Sequence, residues 1–503
     1  MSEATKPRVL IFVLTYNAQK HIESVLDRIP ESLFTGESYS TDVIIIDDMS
    51  KDDTISVSNN YPKKAFKNVT VMRNPVNQRY GGNQKIGYTY AIEHGYDAVV
   101  MLHGDGQYAP EYLEEMLKPL LSGQADAVFG SRMLSKDSAL KGGMPLYKFA
   151  ANIFLTKTQN FILGANLSEF HSGYRAYSIE TLKSIPFQYN SNDFDFDTDI
   201  IIQLIDTKKR IHEVPIPTHY GDEVCHVNGT KYALQIMLST FISRVQRLGL
   251  LYAPKFDYKF GKQEYADKTS FDSSHSFALD QIKPDSTVLD FSSDNRFVVK
   301  KLKEKNCKIY GYNSNPVRKD QENYASLKQA DIENFDFSML SAEEKTADYI
   351  LLLDMLEQRE NPEQFLYNLR QAFSGEKPEI IITAANVGFI IVRLMLLIGQ
   401  FNYGKHGILD MTHKRLFTFK SLRKLLESHG YAIKTVKAIA VPVNLITGTG
   451  IISKLLLSIN QLLMKISKGL FAFQAGVIAS PLPTLDTLLE NAKQEGKRLE
   501  KDN

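Results

Sequence analysis

The chain has 503 residues, with 59 lysines and arginines against 58 aspartates and glutamates and a formal net charge of +1. That length exceeds what one hydrophobic core serves, so two domains are expected, and the balanced charge excludes an electrostatic nucleic-acid binder. The two cysteines, Cys225 and Cys307, fall in different predicted domains, which excludes a disulfide framework and fits a reducing compartment.

The opening residues, MSEATKPRVL, carry no signal-peptide pattern, so a cytoplasmic location is expected. Apolar runs over Arg8 to Leu14, Asp42 to Ile46, Val69 to Met72 and Ala98 to Leu102 read as strands. Between them, His21 to Ile29, Asp52 to Asn60 and Asn83 to His94 read as helices, stopped by Pro30 after the first and Gly95 after the last. This β-α-β-α alternation predicts an α/β domain whose parallel sheet binds ligands beyond the carboxyl ends of its strands. Thr15, Asn17, Asp47, Asp48 and Asp105 are therefore expected to converge, although they are far apart in sequence.

The fourth run ends in His103-Gly104-Asp105-Gly106-Gln107, a carboxylate on a glycine-flanked loop that can approach a diphosphate and its metal. A departing nucleoside diphosphate develops negative charge, which a hard divalent cation held by one or two carboxylates stabilises. Asp105 is the expected metal ligand, with Gln107 as a neutral oxygen donor. Asp47 and Asp48 have the chemistry to accept hydrogen bonds from a base N–H or from ribose hydroxyls; the alternative is that they open a turn.

Residues 8 to about 250 resemble an inverting family-2 glycosyltransferase of GT-A fold, close to the polyprenyl (dolichol) phosphate mannose synthase branch. The matching segments are Leu14-Thr15-Tyr16-Asn17, Ile46-Asp47-Asp48-Met49-Ser50, Tyr80-Gly81-Gly82-Asn83, His103 to Gln107, Gly130-Ser131-Arg132, Ser172-Gly173-Tyr174-Arg175-Ala176 and Glu213-Val214-Pro215-Ile216. The resemblance implies a nucleotide-diphosphate sugar donor, a polyprenyl phosphate or glycan hydroxyl acceptor, and a role in building cell-envelope polysaccharide or glycolipid. It places Gly82 and His103 in the nucleotide-sugar site and makes Arg132 and Arg175 candidates for pairing with phosphate oxygens, against the alternative of surface ion pairs. The family usually has Asp-x-Asp where this chain has His103-Gly104-Asp105. Either His103 supplies a nitrogen ligand, favouring manganese over magnesium, or that position does not touch the metal. His171 reads as a packing or orienting residue.

The segment Asn192 to Asp199 carries four acids in alternation. If extended, it shows carboxylates on one face, and Asp197 or Asp199 would serve as general base toward a hydroxyl acceptor. A phosphate acceptor, already ionised, requires no base. The other reading is an acid-rich helix N-terminus ahead of Ile200 to Leu204.

Polar and aromatic residues from Tyr252 to Ser276 mark a boundary, giving domains at 1–250 and 276–440, a linker at 251–275, and an apolar then charged helical extension at 441–503. A second β-α series begins with Thr287 to Asp290 as strand, Arg296 to Lys305 as helix and Lys308 to Tyr312 as strand. Residues 276 to about 440 resemble a class I S-adenosylmethionine-dependent methyltransferase of Rossmann-like fold, through Val288 to Asp294, Ala330-Asp331-Ile332, Asp348 to Glu357 and His406 to Thr418. The remnants of a cofactor site would be Asp290, Ser292, Asn313 and Asp331, with Asp410 and His413 as further candidates. Ser292 and Ser293 stand where glycines let the cofactor approach the backbone, and Asn313 replaces the acid that binds ribose hydroxyls. A non-catalytic second domain is expected. A bifunctional enzyme that also methylates, and a silent scaffold with two enzyme-like folds, are the alternatives.

Val387 to Phe401 is apolar but short and holds Arg393, so no membrane span is expected. Ile451 to Phe473 mixes Leu and Ile with Lys454, Lys465 and Lys468, which fits either a helix lying in a membrane interface or core packing. Peripheral contact with the inner membrane face is an open addition to the cytoplasmic expectation.

Overall fold

The computed structural model describes residues 6–62, 66, 68–135, 139–140, 142–217, 228–247, 249, 251–258, 267–292, 296–314, 321–374, 376–444 and 450–501. Cys225, Ser293 and Asp294 lie outside them. The chain forms two compact units, one of Met1–Arg244 with Ala253–Gly261 and the other of Val245–Tyr252 with Lys262–Asn503.

The first unit is built on β1 (Arg8–Thr15), β2 (Ser40–Asp47), β3 (Val69–Arg73), β4 (Ala98–His103), β5 (Ala127–Ser131), β6 (Arg175–Ser178) and β7 (Ile211–Pro215), in spatial order β3-β2-β1-β4-β6-β5-β7. β1 and β4 are nearly all apolar because helices cover both faces of this sheet, as parallel strands require. Along β1 the pleat sends Val9, Ile11 and Val13 into one core and Leu10 and Phe12 into the other. β6 runs antiparallel to both neighbours, β4 and β5. Its first residue, Arg175, therefore lies at the edge where β1, β2, β4 and β5 end in Thr15, Asp47, His103 and Ser131. The strand order reverses about β1 and β4, opening a crevice at that edge.

The helix predicted from Asn83 begins earlier, at Arg79, and runs to Glu93, so Tyr80, Gly81 and Gly82 form its first turn. Asp195 to Asp206 resolves the acidic segment as a helix: Asp195 is its N-cap, Phe196–Asp206 its body, with Asp197 and Asp199 in the first turn. The extended alternative does not occur.

The second unit holds β8 (Thr287–Asp290), β9 (Lys308–Asn313), β10 (Ser326–Gln329), β11 (Tyr349–Leu353), β12 (Glu379–Ala385), β13 (Tyr431–Ile439) and β14 (Gln474–Pro481), ordered β10-β9-β8-β11-β12-β14-β13. β14 pairs antiparallel with both β12 and β13. Residues 441–503 are thus not wholly an extension: β14 is an inner strand, nearly fully buried, whose apolar run QAGVIASP completes the core. Among the described residues no helix is long and apolar enough to cross a membrane.

Candidate active site

Backbone bonds draw the first unit's strand ends together. Asp48 N donates to Thr15 O (2.9 Å) and Gly104 N to Leu14 O (2.9 Å), fixing the loops after β2 and β4 beside the end of β1. Asn17, at φ 51°, donates its backbone N–H to Ser50 Oγ (2.8 Å) and accepts from Lys51 N through Oδ1 (2.8 Å). A Cβ on Gly104 would fall 2.5 Å from Thr15 Cγ2, so only glycine lets the Asp105 loop sit this close. Gly106, at φ 80°, then turns the chain, and Gln107 N donates to Asp105 Oδ1 (3.0 Å). Asp105 is half-buried and its second oxygen makes no hydrogen bond among the described residues.

The other carboxylates at this edge are engaged. Asp47, fully buried, accepts from Ser50 N (3.0 Å) and Ser50 Oγ and lies 3.4 Å from Arg73 Nε. Asp48 Oδ1 accepts from Asn74 Nδ2 (2.8 Å) and Gln78 N (2.7 Å). Gly81 and Gly82 both donate their N–H to Asn192 O, at 2.8 and 3.2 Å. The glycine pair thereby serves the contact between its helix and the 191–196 loop, and the Gly82 amide is spent there.

His103 is enclosed. Its ring meets Tyr80 and Tyr108 edge-on, Nε2 lies 3.4 Å from Tyr80 Oη, and a Cβ on Gly173 would come within 2.9 Å of it. Burial holds the imidazole below its usual pKa, against the opposing pull of Asp105 and Asp197. Tyr80 donates to Asp197 Oδ2 (2.9 Å), whose Oδ1 accepts from Gln84 Nε2 (3.2 Å).

Two expectations need correction. Asp199 is fully buried, and its oxygens take Lys255 Nζ (2.7 and 2.9 Å), Ser239 Oγ (2.6 Å) and Ser191 N (3.0 Å). It is a structural clamp with no access to an acceptor. Arg175, expected at phosphate oxygens, is 1% exposed, stacked 4.3 Å from the Phe129 ring centre, donating to Phe170 O (2.9 Å) and 3.7 Å from Asp197. Among the described residues its Nε and Nη1 have no hydrogen-bond partner, so it acts as a buried cation behind Asp197.

Arg132 is buried too, and not a surface pair. Its guanidinium forks onto Glu169, which also accepts from Arg132 N (2.8 Å) and Asn152 Nδ2 (2.8 Å). Burial alone would raise the Glu169 carboxyl; Arg132 overrides it and holds the carboxyl below its usual range. His171 packs on Tyr232, with Nδ1 3.0 Å from its hydroxyl, and burial pulls its pKa down to about 4. The sequence reading missed Tyr108, Glu169 and Lys255, and it quoted Tyr80 without a role. Tyr80 opens one matched segment and Tyr108 directly follows another, a signal that could have found them.

A divalent cation fits this edge in one way. Among the described residues no three His, Cys, Asp or Glu side chains cluster as a metal cage. A cation at Asp105 would therefore draw its remaining ligands from a diphosphate and water, as magnesium commonly does.

In the second unit the expected cofactor positions serve the fold. Asp290 accepts from Ser292 N (2.9 Å) and Tyr324 Oη (3.3 Å), and Ser292 Oγ accepts from Leu353 N (2.8 Å), tying β8 to β11. Asn313 O accepts from Ala330 N (3.0 Å), and Asp331 holds its own turn through Glu333 N and Asn334 Nδ2. Asp410 accepts from Thr412, and His413 Nδ1 lies 3.1 Å from Ile408 O.

Residues 10–185 match the profile of glycosyl transferase family 2, and residues 263–436 match that of a methyltransferase domain. The chain is 28% identical over 212 residues to an undecaprenyl-phosphate mannosyltransferase of Micrococcus luteus, covering 42% of this chain and 82% of that one. It is 26% identical over 225 residues to a UDP-N-acetylglucosamine–dolichyl-phosphate N-acetylglucosaminyltransferase of Methanococcus voltae, covering 42% and 86%. A polyprenol monophosphomannose synthase of Mycolicibacterium smegmatis is 27% identical over 214 residues, covering 42% and 76%. The first unit, with its seven-stranded sheet and its strand-end loops, carries a glycosyl transferase family 2 domain over residues 10–185, and the chain carries a methyltransferase domain over residues 263–436.

Proposed function

We propose that the first domain moves a sugar from a nucleoside diphosphate donor to a polyprenyl phosphate, with inversion, using a divalent cation held at Asp105. The observation that carries this reading is the contrast among the carboxylates. Asp105 keeps an oxygen open beyond the strand ends, whereas the acids of the 193–199 segment are all engaged: Asp193 with Arg79, Asp195 with Ser191, Asp197 with Tyr80 and Gln84, Asp199 with Lys255. A hydroxyl acceptor needs a general base within reach. A phosphate arrives ionised, so a site whose open carboxylate among the described residues, Asp105, is committed to the cation favours it over a glycan hydroxyl. The relatives' lipid-phosphate acceptors support the same choice.

In this scheme a phosphate oxygen attacks the anomeric carbon from the side opposite the diphosphate; the carbon–oxygen bond to the diphosphate breaks and its electron pair leaves with the nucleoside diphosphate. Inversion follows from the single displacement. A bound cation would supply charge neutralisation at the departing diphosphate. Asp105 orients that cation, Thr15 and the backbone around Asp48 bound the donor crevice, and Asp47 and Asp48 hold the β2 loop that faces the nucleoside. Neutral His103, walled in by Tyr80 and Tyr108, supports the reading in which it shapes the pocket floor and leaves the metal to Asp105.

The test is thermal-shift titration of the protein with UDP, GDP and their sugars, with and without manganese. A manganese-dependent shift with one nucleotide, abolished in Asp105→Ala and retained in Asp199→Asn variants that fold, is expected. Retention of the metal-dependent shift in Asp105→Ala overturns the assignment.

A further inference from the structure

We propose that the second domain docks the protein onto an anionic lipid bilayer, through the outward face of the Ile451–Ile466 helix and the exposed apolar residues from Leu394 to Phe401. On that helix Ile451, Leu455, Ile459, Leu462 and Ile466 recur at helical spacing and are 86, 60, 47, 62 and 75% exposed. A surface helix of a globular domain turns such a stripe inward. Here the opposite face is already committed: Met464 packs with Ala440 and Ala472, Asn460 Nδ2 donates to Phe471 O (2.9 Å), and Asn460 Oδ1 accepts from Val441 N (3.1 Å). The helix is thus fixed in a roll that leaves its aliphatic stripe outside.

The same domain exposes a second apolar patch. Leu394, Leu397, Ile398 and Phe401 are 49, 81, 74 and 41% exposed. The segment leading into them is pinned to the end of the first patch: Asn386 Nδ2 donates to Gly469 O (3.1 Å) and Ala472 O (2.8 Å), and Phe389 meets Phe473 edge-on. The two apolar stretches of the sequence therefore share one region of the domain.

Charge selects the occupant. From Tyr431 to Leu485 the chain contains no aspartate or glutamate and five lysines. Lys434 and Lys437 pair with Glu379 and Asp272, while Lys454, Lys465 and Lys468 make no ion pair among the described residues. Lys454 and Lys465 flank one side of the stripe. Aliphatic residues edged by unpaired lysines suit an interfacial helix on anionic lipid. A second copy of this chain would bring the same lysines together with no acids to meet them, and a protein partner would be read by aromatic and arginine anchors, which the stripe lacks. The proposal does not depend on which acceptor the first domain uses.

Flotation of the full chain with vesicles tests it, comparing phosphatidylcholine alone with phosphatidylcholine containing phosphatidylglycerol. Wild type is expected to float with the anionic vesicles and to weaken by about tenfold or more in Leu455→Glu/Leu462→Glu and in Lys454→Glu/Lys465→Glu/Lys468→Glu. These side chains are exposed, so unchanged circular dichroism and Tm should confirm folding. Wild-type flotation by the leucine variant would overturn the proposal and move docking elsewhere, such as the exposed Phe154 and Phe161 of the first domain. Failure of wild type to float with either vesicle would overturn it as well, and a dimer broken by the leucine variant would assign the face to a second copy.

Discussion

Glu357 is a buried acid in the second domain that carries a stability consequence. Its Oε1 accepts from Ala385 N (3.1 Å) and its Oε2 has no hydrogen-bond partner among the described residues. Burial first, and the nearby Asp354 charge second, push its carboxyl up to about 8, so it is protonated at neutral pH. A folded-state pKa raised above the unfolded value means that folding binds the proton more tightly, so stability is lost as pH rises from the unfolded value near 4.5 through about 8. The slope approaches about 1.4 kcal/mol per pH unit inside that window. Glu357→Gln keeps the shape and removes the ionisation, so urea unfolding should show the variant gaining on wild type by several kcal/mol at pH 9 and by little at pH 4; equal pH profiles would refute it. Whether a carboxylate is spent or open is also what the sequence conceals. The close approach of the Asp105 loop was legible because its flanking glycines announce it. Asp199 was not, because the lysine that neutralises it, Lys255, lies 56 residues further on. Arg175 shared this fate: its segment identified the fold, but the antiparallel run of β6 beneath Phe129 gives no periodic signal in four residues.

The Arg79–Glu93 helix illustrates the same limit for an element. Its core was legible from the apolar spacing, and its start was not, because Gly81 and Gly82 look like breakers. Gly81 is needed because a Cβ there would come 2.5 Å from Ser191 O, 2.6 Å from Phe196 Cβ and 2.9 Å from Asp193 O. One turn and a half later, Gly87 lies against the fully buried Phe12 ring, where a Cβ would stand inside van der Waals contact. Two effects compete when Gly87 becomes alanine. Helix propensity favours alanine by about 1 kcal/mol, whereas overpacking a filled core costs about 1–3 kcal/mol. The ring is held on β1, a central strand, so it cannot retreat and overpacking should win. Gly87→Ala is expected to destabilise the first domain by about 1–2 kcal/mol by chemical denaturation. Adding Phe12→Leu, which vacates the ring's space, should cost less in the alanine background than alone. Additive costs in that cycle would show that the contact does not limit the helix.

For the whole molecule, each unit has its own seven-stranded sheet and its own hydrophobic cores, so heating should resolve two transitions and not one. Ligands can then be assigned to domains by mass action, because a ligand stabilises only the unit that binds it. At a concentration about 100 times Kd the gain is about 2.7 kcal/mol, which moves the Tm of a domain of this size by roughly 5–10 °C. A nucleoside diphosphate with manganese is expected to raise one transition alone, and the Gly87→Ala variant, by lowering that same transition, identifies it as the first domain's. S-adenosylmethionine is expected to raise neither. Among the described residues at the end of β8, Asp290 accepts from Ser292 N and Tyr324 Oη and Ser292 is spent on Leu353, so both side chains already serve the fold. A rise of the second transition with S-adenosylmethionine would reverse this inference and favour a bifunctional enzyme. Its absence would leave the second domain with a role other than methyl transfer, for which the basic aliphatic face between Tyr431 and Leu485 supplies the physical means.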